Sequence, residues 1–307
     1  MRPLPPETTY LPFEAGPYRM AMGLVTVPES AWFEIDEHYP KEMAERRHLL
    51  AERHAEVFGA LGHSDAARQE ALDELAAHLP AHHPDWFGRS RQILENHLTG
   101  ETWDLTSPPC DPLELAARLV QEDLCIVQPG PNGPVFTAGV VCFPSRWRLH
   151  EKLGGPLGTV HARVPIYPDR LARPVDRFMT HLKPGHIASR LNWSLLDDAA
   201  LFQPTGKWRT AADTSIDTGN AGRRLYLRVE RQTLRRMPRT GAILFGIRVH
   251  RYRLDTIAGE PKVAARLAGA VRALPPEIAR YKSLPPFEDA LLTWLDERSR
   301  QAHTLCS

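Results

Sequence analysis

The residues of this 307-residue chain that could do chemistry crowd into one stretch, Cys142-Phe143-Pro144-Ser145-Arg146-Trp147-Arg148-Leu149-His150-Glu151-Lys152-Leu153-Gly154-Gly155-Pro156-Leu157-Gly158-Thr159-Val160-His161. Leu149, Leu153, Leu157 and His161 recur every fourth residue, so an imidazole extends an apolar stripe if a helix runs through. Gly154-Gly155 fits the end of one short helix and Pro156 the start of the next. Either way an imidazole stands beside leucines. A haem pocket asks for a neutral imidazole for iron, apolar walls for the macrocycle and cations for the propionates. Arg146 and Arg148 supply candidate cations. The rival reading is a histidine that merely complements a helix C-terminus or sits satisfied in a core, and a chain with 14 histidines offers many such places.

Other sites find little support in the pattern. There is no GxGxxG after a strand, no GxxxxGK[ST], no HExxH and no GxSxG. If the chain does redox chemistry, its electrons come from elsewhere. Cys110, Cys125, Cys142 and Cys306 are widely separated, which argues against a zinc ribbon, an iron–sulfur cluster and a disulfide framework. His181 and His186 flank Lys183-Pro184-Gly185, a break that does not hold two imidazoles on one face, and His82-His83 before Pro84 reads as a polar loop.

The elements that must position these residues change period along the chain. Residues 1–37 read as an irregular arm anchored by Tyr10, Phe13, Tyr18, Trp32 and Phe33. Helices are expected after Pro40, and from an Ser64 cap up to Pro80. A third opens at Asp111-Pro112-Leu113-Glu114 with a capping box. Leu124–Val127 and Val135–Phe143 are short apolar runs either side of Gly130-Pro131-Asn132-Gly133. Leu225–Thr233 alternates, with Leu225, Leu227 and Val229 on one side and Tyr226, Arg228, Glu230 and Gln232 on the other. Ala242–Tyr252 follows after a turn. Lys262–Leu274 and Phe287–Leu295 return to helical spacing. Two strand pairs with helix between them predict an antiparallel α+β sheet rather than a parallel dinucleotide-binding fold.

Several segments, in order, resemble the haem-dependent oxidative N-demethylase family, alpha subunit. They are Pro12–Met20, Trp32–Asp36, Cys142–His161, Arg190-Leu191-Asn192-Trp193-Ser194 and Leu227–Phe245. The resemblance implies a PAS-like haem domain over residues 106–256, with an N-terminal arm and helices (1–105) and C-terminal helices (257–307) flanking it. It implies haem b ligated by His161, oxidation of a small N-methyl amine by O2, and electrons reaching the iron from NADPH through a separate flavin and iron–sulfur reductase. Glu230, Arg228 and Asn192 become catalytic candidates; Arg190 and Trp193 join Arg146 and Arg148 as cofactor contacts. A carboxylate in a low-dielectric pocket can hold an ammonium or relay a proton. The alternatives stay open: Arg228, Glu230 and Gln232 as the solvated face of a strand, and Trp193 as core. The chain departs from the family pattern at Arg163, where a proline is expected.

The net charge of +1 gives no support to a nucleic-acid or membrane-surface role. No apolar run reaches a spanning length, no secretory leader is evident at Met1–Pro6, and a reducing cytoplasm is the expected setting. A haem sensor or carrier without turnover is the rival function, weakened by the lack of a sustained heptad linker. A hydrolase or non-haem metal protein is weaker still.

Overall fold

A computed structural model describes residues 2–131, 133–160, 164–165 and 167–304. The strands in chain order are β1 (Val25–Val27), β2 (Phe58–Ala60), β3 (Phe87–Ser90), β4 (Ile93–Asn96), β5 (Glu101–Asp104), β6 (Asp123–Gln128), β7 (Val135–Val140), β8 (Ile187–Leu196), β9 (Tyr226–Arg236) and β10 (Ile243–Arg253). The helices that matter below are α1 (Tyr39–Glu52), α2 (Asp65–His82), α3 (Pro112–Ala117), α4 (Ala172–His181), α5 (Pro261–Arg272) and α6 (Glu288–Thr304). Seven strands form one sheet in the order β1-β8-β9-β10-β6-β7-β2, and β3-β4-β5 form a small second sheet. Every pairing between these strands is antiparallel, as the alternating pattern predicts.

The spine is the β9–β10 hairpin, paired in unbroken register from Tyr226↔Arg253 to Arg236↔Ile243. Its turn is held from outside: the buried Glu70 carboxylate of α2 accepts the Arg239 amide at 2.6 Å and the Thr240 amide at 2.8 Å. Odd-numbered residues of β9, Leu227 and Val229, pack with Val263, Leu267 and Val271 of α5 and Leu291 and Leu295 of α6. The even-numbered face is covered differently. There Leu234 and Ile243 of the hairpin and Val127 of β6 meet Leu157 and two residues of the α4 region, Met179 and Leu182. Two glycines let the covering segment come close. A Cβ on Gly139 would lie 2.8 Å from Phe136 and 3.1 Å from Leu149, and one on Gly59 would lie 2.9 Å from Leu153.

Several local expectations need adjusting. The N-terminal segment does more than pack on the sheet, since β1 and β2 are its two outer strands; three residues each are too short to show a period. Ser64 makes no cap bond and instead donates its hydroxyl to the Leu61 carbonyl at 2.6 Å. The following helix runs through Pro80 to His82, so His82 is helical rather than part of a loop. The proline removes an amide that would have bonded the Ala76 carbonyl, and the Arg89 guanidinium takes that carbonyl at 3.3 Å. The Asp111 cap forms as expected, accepting the Leu113 amide at 2.9 Å. Glu114 does not close the capping box; its carboxylate takes Arg118 and His54, each at 2.8 Å.

Candidate functional site

Cross-strand register brings the polar even face together. Asn192 on β8 lies opposite Glu230 on β9, Arg190 opposite Gln232, and Ser194 opposite Arg228. Directly opposed residues share a face with short side-chain separation, so three polar pairs line up along one strip. The Asn192 amide donates to the Glu230 carboxylate at 3.3 Å and the Gln232 amide donates to the same oxygen at 2.9 Å. The β1 partner of β8 ends at Val25↔Ser189, which leaves the rest of that edge open to other segments. Lys282 fills part of it, donating to the Trp193 carbonyl with its ammonium 5.0 Å from the indole centre.

Burial works to raise the Glu230 pKa, but the Ser145 hydroxyl, the Arg228 guanidinium, the Asn192 amide and the Lys207 ammonium outweigh it. Glu230 is therefore held below the ordinary carboxylate range and is an anion at neutral pH. Besides Arg228, four cations feel its charge: Arg190, Lys152, Lys207 and Lys282. Among the described residues, none of the four forms an ion pair with any carboxylate, Glu230 included. Desolvation lowers all of them, and it brings Lys152 and Lys282 each down to about 8. All three ammoniums rest on aromatic faces instead of acids, Lys207 at 4.1 Å from the Tyr281 ring centre, Lys152 at 3.9 Å from that of Trp147 and Lys282 at 5.0 Å from that of Trp193. The Arg190 Nε is buried without a hydrogen-bond partner among the described residues. One carboxylate against four enclosed cations is a site short of negative charge.

Not every expected residue joins this cluster. Arg228 spends its guanidinium on structure: Nε donates to Ser145 Oγ at 2.8 Å, Nη1 to the Ala200 carbonyl at 3.0 Å, and Nη2 to the Phe143 and Leu201 carbonyls at 2.8 and 3.0 Å. It touches Glu230 through Ser145 and clamps two loops. Arg146 is buried in an ion pair with Asp197, which Arg209 shares. Arg148 is exposed and borders a cavity of about 300 Å³ with Trp147, Leu149 and Phe202. Trp193 projects from the odd face and packs edge-on against Phe13, with ring centres 5.9 Å apart. His161 and Arg163 lie outside the described residues. Ser145, Lys152, Lys207, Tyr281 and Lys282 were not anticipated. Lys207 and Lys282 stand in non-periodic stretches that no motif marks, and only the fold brings them to Glu230.

Residues 23–292 match the family model of haem-dependent oxidative N-demethylase, alpha subunit-like proteins. The chain belongs to that family. Haem is the group that the family description implies, and the donor set suits it. A porphyrin carries two carboxylates, the charge that Arg190, Lys152, Lys207 and Lys282 lack. The same sheet face offers an apolar patch in Val127, Leu234 and Ile243, with Leu157, Met179 and Leu182 above it. Among the neighbouring described histidines, a carbonyl bond at one ring nitrogen leaves the other nitrogen free. His150 bonds the Ala55 carbonyl, His181 bonds Arg177 of its own helix at 2.7 Å, and His186 is exposed in the turn before β8. Among the described residues no helix is long and apolar enough to cross a membrane.

Proposed function

We propose that this N-demethylase family member binds haem b on the even face of β8 and β9, in a PAS-like sheet domain, with His161 as iron ligand, and oxidises an N-methyl group of a small amine. When bound, the haem supplies oxidation of the methyl carbon by O2. The balance is one O2, two electrons and two protons consumed, and formaldehyde, water and the demethylated amine released. The electrons come from NADPH through a separate flavin and iron–sulfur reductase, in keeping with a family named as alpha subunit-like.

The observation that carries this reading is an ionised, enclosed Glu230 among unpaired cations. Arg190, Lys152, Lys207 and Lys282 hold the propionates. With two propionates offsetting part of that positive charge, Glu230 is the protein's own carboxylate in the cluster, and it receives the substrate ammonium or takes its proton. Asn192 and Ser145 orient the carboxylate by donating to it. Arg228 sets the height of Ser145 and of the 199–201 loop, so it positions the site without touching substrate.

Visible spectra of the haem-loaded protein, oxidised and reduced, beside His161→Ala, test the ligand. A Soret band lost in the variant supports it; haem retained with an unchanged spectrum moves the ligand elsewhere. Formaldehyde release from a panel of N-methyl amines, with reductase and O2, tests the reaction. A haem-replete protein that stays silent across the panel while binding gases would make it a sensor or carrier.

A further inference from the structure

The odd face of the sheet carries a second cluster of ligating side chains that the demethylase reading does not use. His78 and His82 lie one turn apart on α2, with ring centres 4.5 Å apart, and Glu29 of the 3-10 turn Glu29–Ala31 approaches from the N-terminal arm. One nitrogen from each imidazole and one Glu29 oxygen all fall within 4.8 Å of one another. His78 Nδ1 and Glu29 Oε1 are 3.6 Å apart, close to the roughly 3.4 Å that a tetrahedral ion with bonds of about 2.1 Å imposes on neighbouring ligand atoms.

His78 supplies the independent observation. Its side chain is only 2% exposed, yet neither ring nitrogen has a hydrogen-bond partner among the described residues. Buried polar atoms are almost always paired, and one left open commonly marks an absent ion or water. The contrast is His250, the core of another acidic cluster with Glu7 and Asp36. Both of its nitrogens are already taken, by Glu7 at 2.9 Å and Glu34 at 3.0 Å, so it has nothing left for a metal.

We propose that Glu29, His78 and His82 bind one divalent transition ion of the zinc class, with water completing its coordination. Two imidazoles and a carboxylate match that class better than calcium or magnesium, which prefer all-oxygen shells. Arg235, now paired to Glu29, keeps a partner when Glu29 turns to the ion, because Glu74 Oε2 lies 3.0 Å from its guanidinium. The ion ties the arm to α2 at a seam where Trp32 packs edge-on to His78 with ring centres 5.0 Å apart. It lies apart from Glu230, since Arg235 and Glu230 project from opposite faces of β9.

Isothermal titration of zinc sulfate into the tag-free full chain, after dialysis against a chelator, tests the site. The expected result is one ion per chain. His82→Ala and Glu29→Gln should each weaken binding at least about 100-fold, the upper end of what losing even a supporting contact costs. His82 is exposed, so its removal spares the core, and circular dichroism checks that both variants fold. The control His186→Ala, in an exposed turn, keeps wild-type affinity. Absence of stoichiometric binding, or wild-type affinity in either ligand variant, overturns the proposal.

Discussion

Glu230 is half-buried and Glu122 fully buried, and their surroundings drive the two carboxylates in opposite directions. Glu230 is surrounded by donors and held ionised. Glu230→Gln keeps the shape and the contact with Asn192 but removes the charge, so haem content should stay while turnover falls about 10²- to 10⁴-fold, as expected for a lost proton-transfer or charge-holding group. Steady-state formaldehyde release alongside the Soret absorbance measures both. Glu122 accepts the Glu34 amide at 3.1 Å with one oxygen, while its other oxygen is buried without a partner. Burial pushes its pKa up to about 7, against the pull of Arg248 on β10 and Arg231 on β9 and with the repulsion of Glu34. A raised folded pKa means that the folded state holds the proton more tightly. That contribution is complete below the ordinary value of 4.5 and is lost as pH rises through about 7. The loss is on the order of 3 kcal/mol. Glu122→Gln should remove it, so urea denaturation at pH 5 and pH 8 should show the variant gaining on wild type at the higher pH.

At the scale of elements, the covering segment from Leu149 to Val160 leads directly to His161, and its seat on the sheet depends on close backbone approach. Gly139 lies in β7 beneath Leu149 and Phe136, with no room for a side chain. Gly139→Val should cost about 1–3 kcal/mol through overpacking and lift this segment, so haem affinity should drop while the far hairpin stays intact. Haem titration with a thermal melt separates the two effects. The strand β8 teaches a related lesson. Leu191, Trp193 and Leu195 alternate with Arg190, Asn192 and Ser194, a period-two signal present in the sequence. Its polar half was legible only as a fragment of family resemblance, because one whole side of the strand lines a polar site instead of a core.

For the molecule as a whole, a nearly neutral chain concentrates unpaired cations in one enclosed place. Lys152 and Lys282 titrate near 8 there, against an ordinary 10.5. Their lowered pKa means that the unfolded chain binds these protons first. Stability therefore falls as pH drops from 10.5 towards 8, and the penalty is constant below that. Two carboxylates arriving among them should restore ordinary lysine behaviour. Haem binding at pH 8 to 8.5 should then take up protons, seen as a dependence of binding heat on the ionisation enthalpy of the buffer. Lys152→Met and Lys282→Met should each reduce the uptake.

What the sequence by itself determined was local. Apolar period settled the strands 123–128, 135–140, 226–236 and 243–253 and most helices to within a few residues, and the Asp111 cap followed from the chemistry of one side chain. Spacing also singled out the 142–161 segment, and shared motifs named the family. Only the tertiary structure decided which polar residues meet. Arg228 and Glu230 look equivalent on an alternating strand. Yet one is saturated by carbonyls of the 143–145 and 199–201 loops, while the other faces Lys207 and Lys282, more than 20 residues away in either direction along the chain. His82 likewise read as loop until a neighbouring arginine replaced the hydrogen bond that Pro80 removed. Hydrogen-bond partners of buried polar groups are set by three-dimensional register, and period along the chain does not encode them.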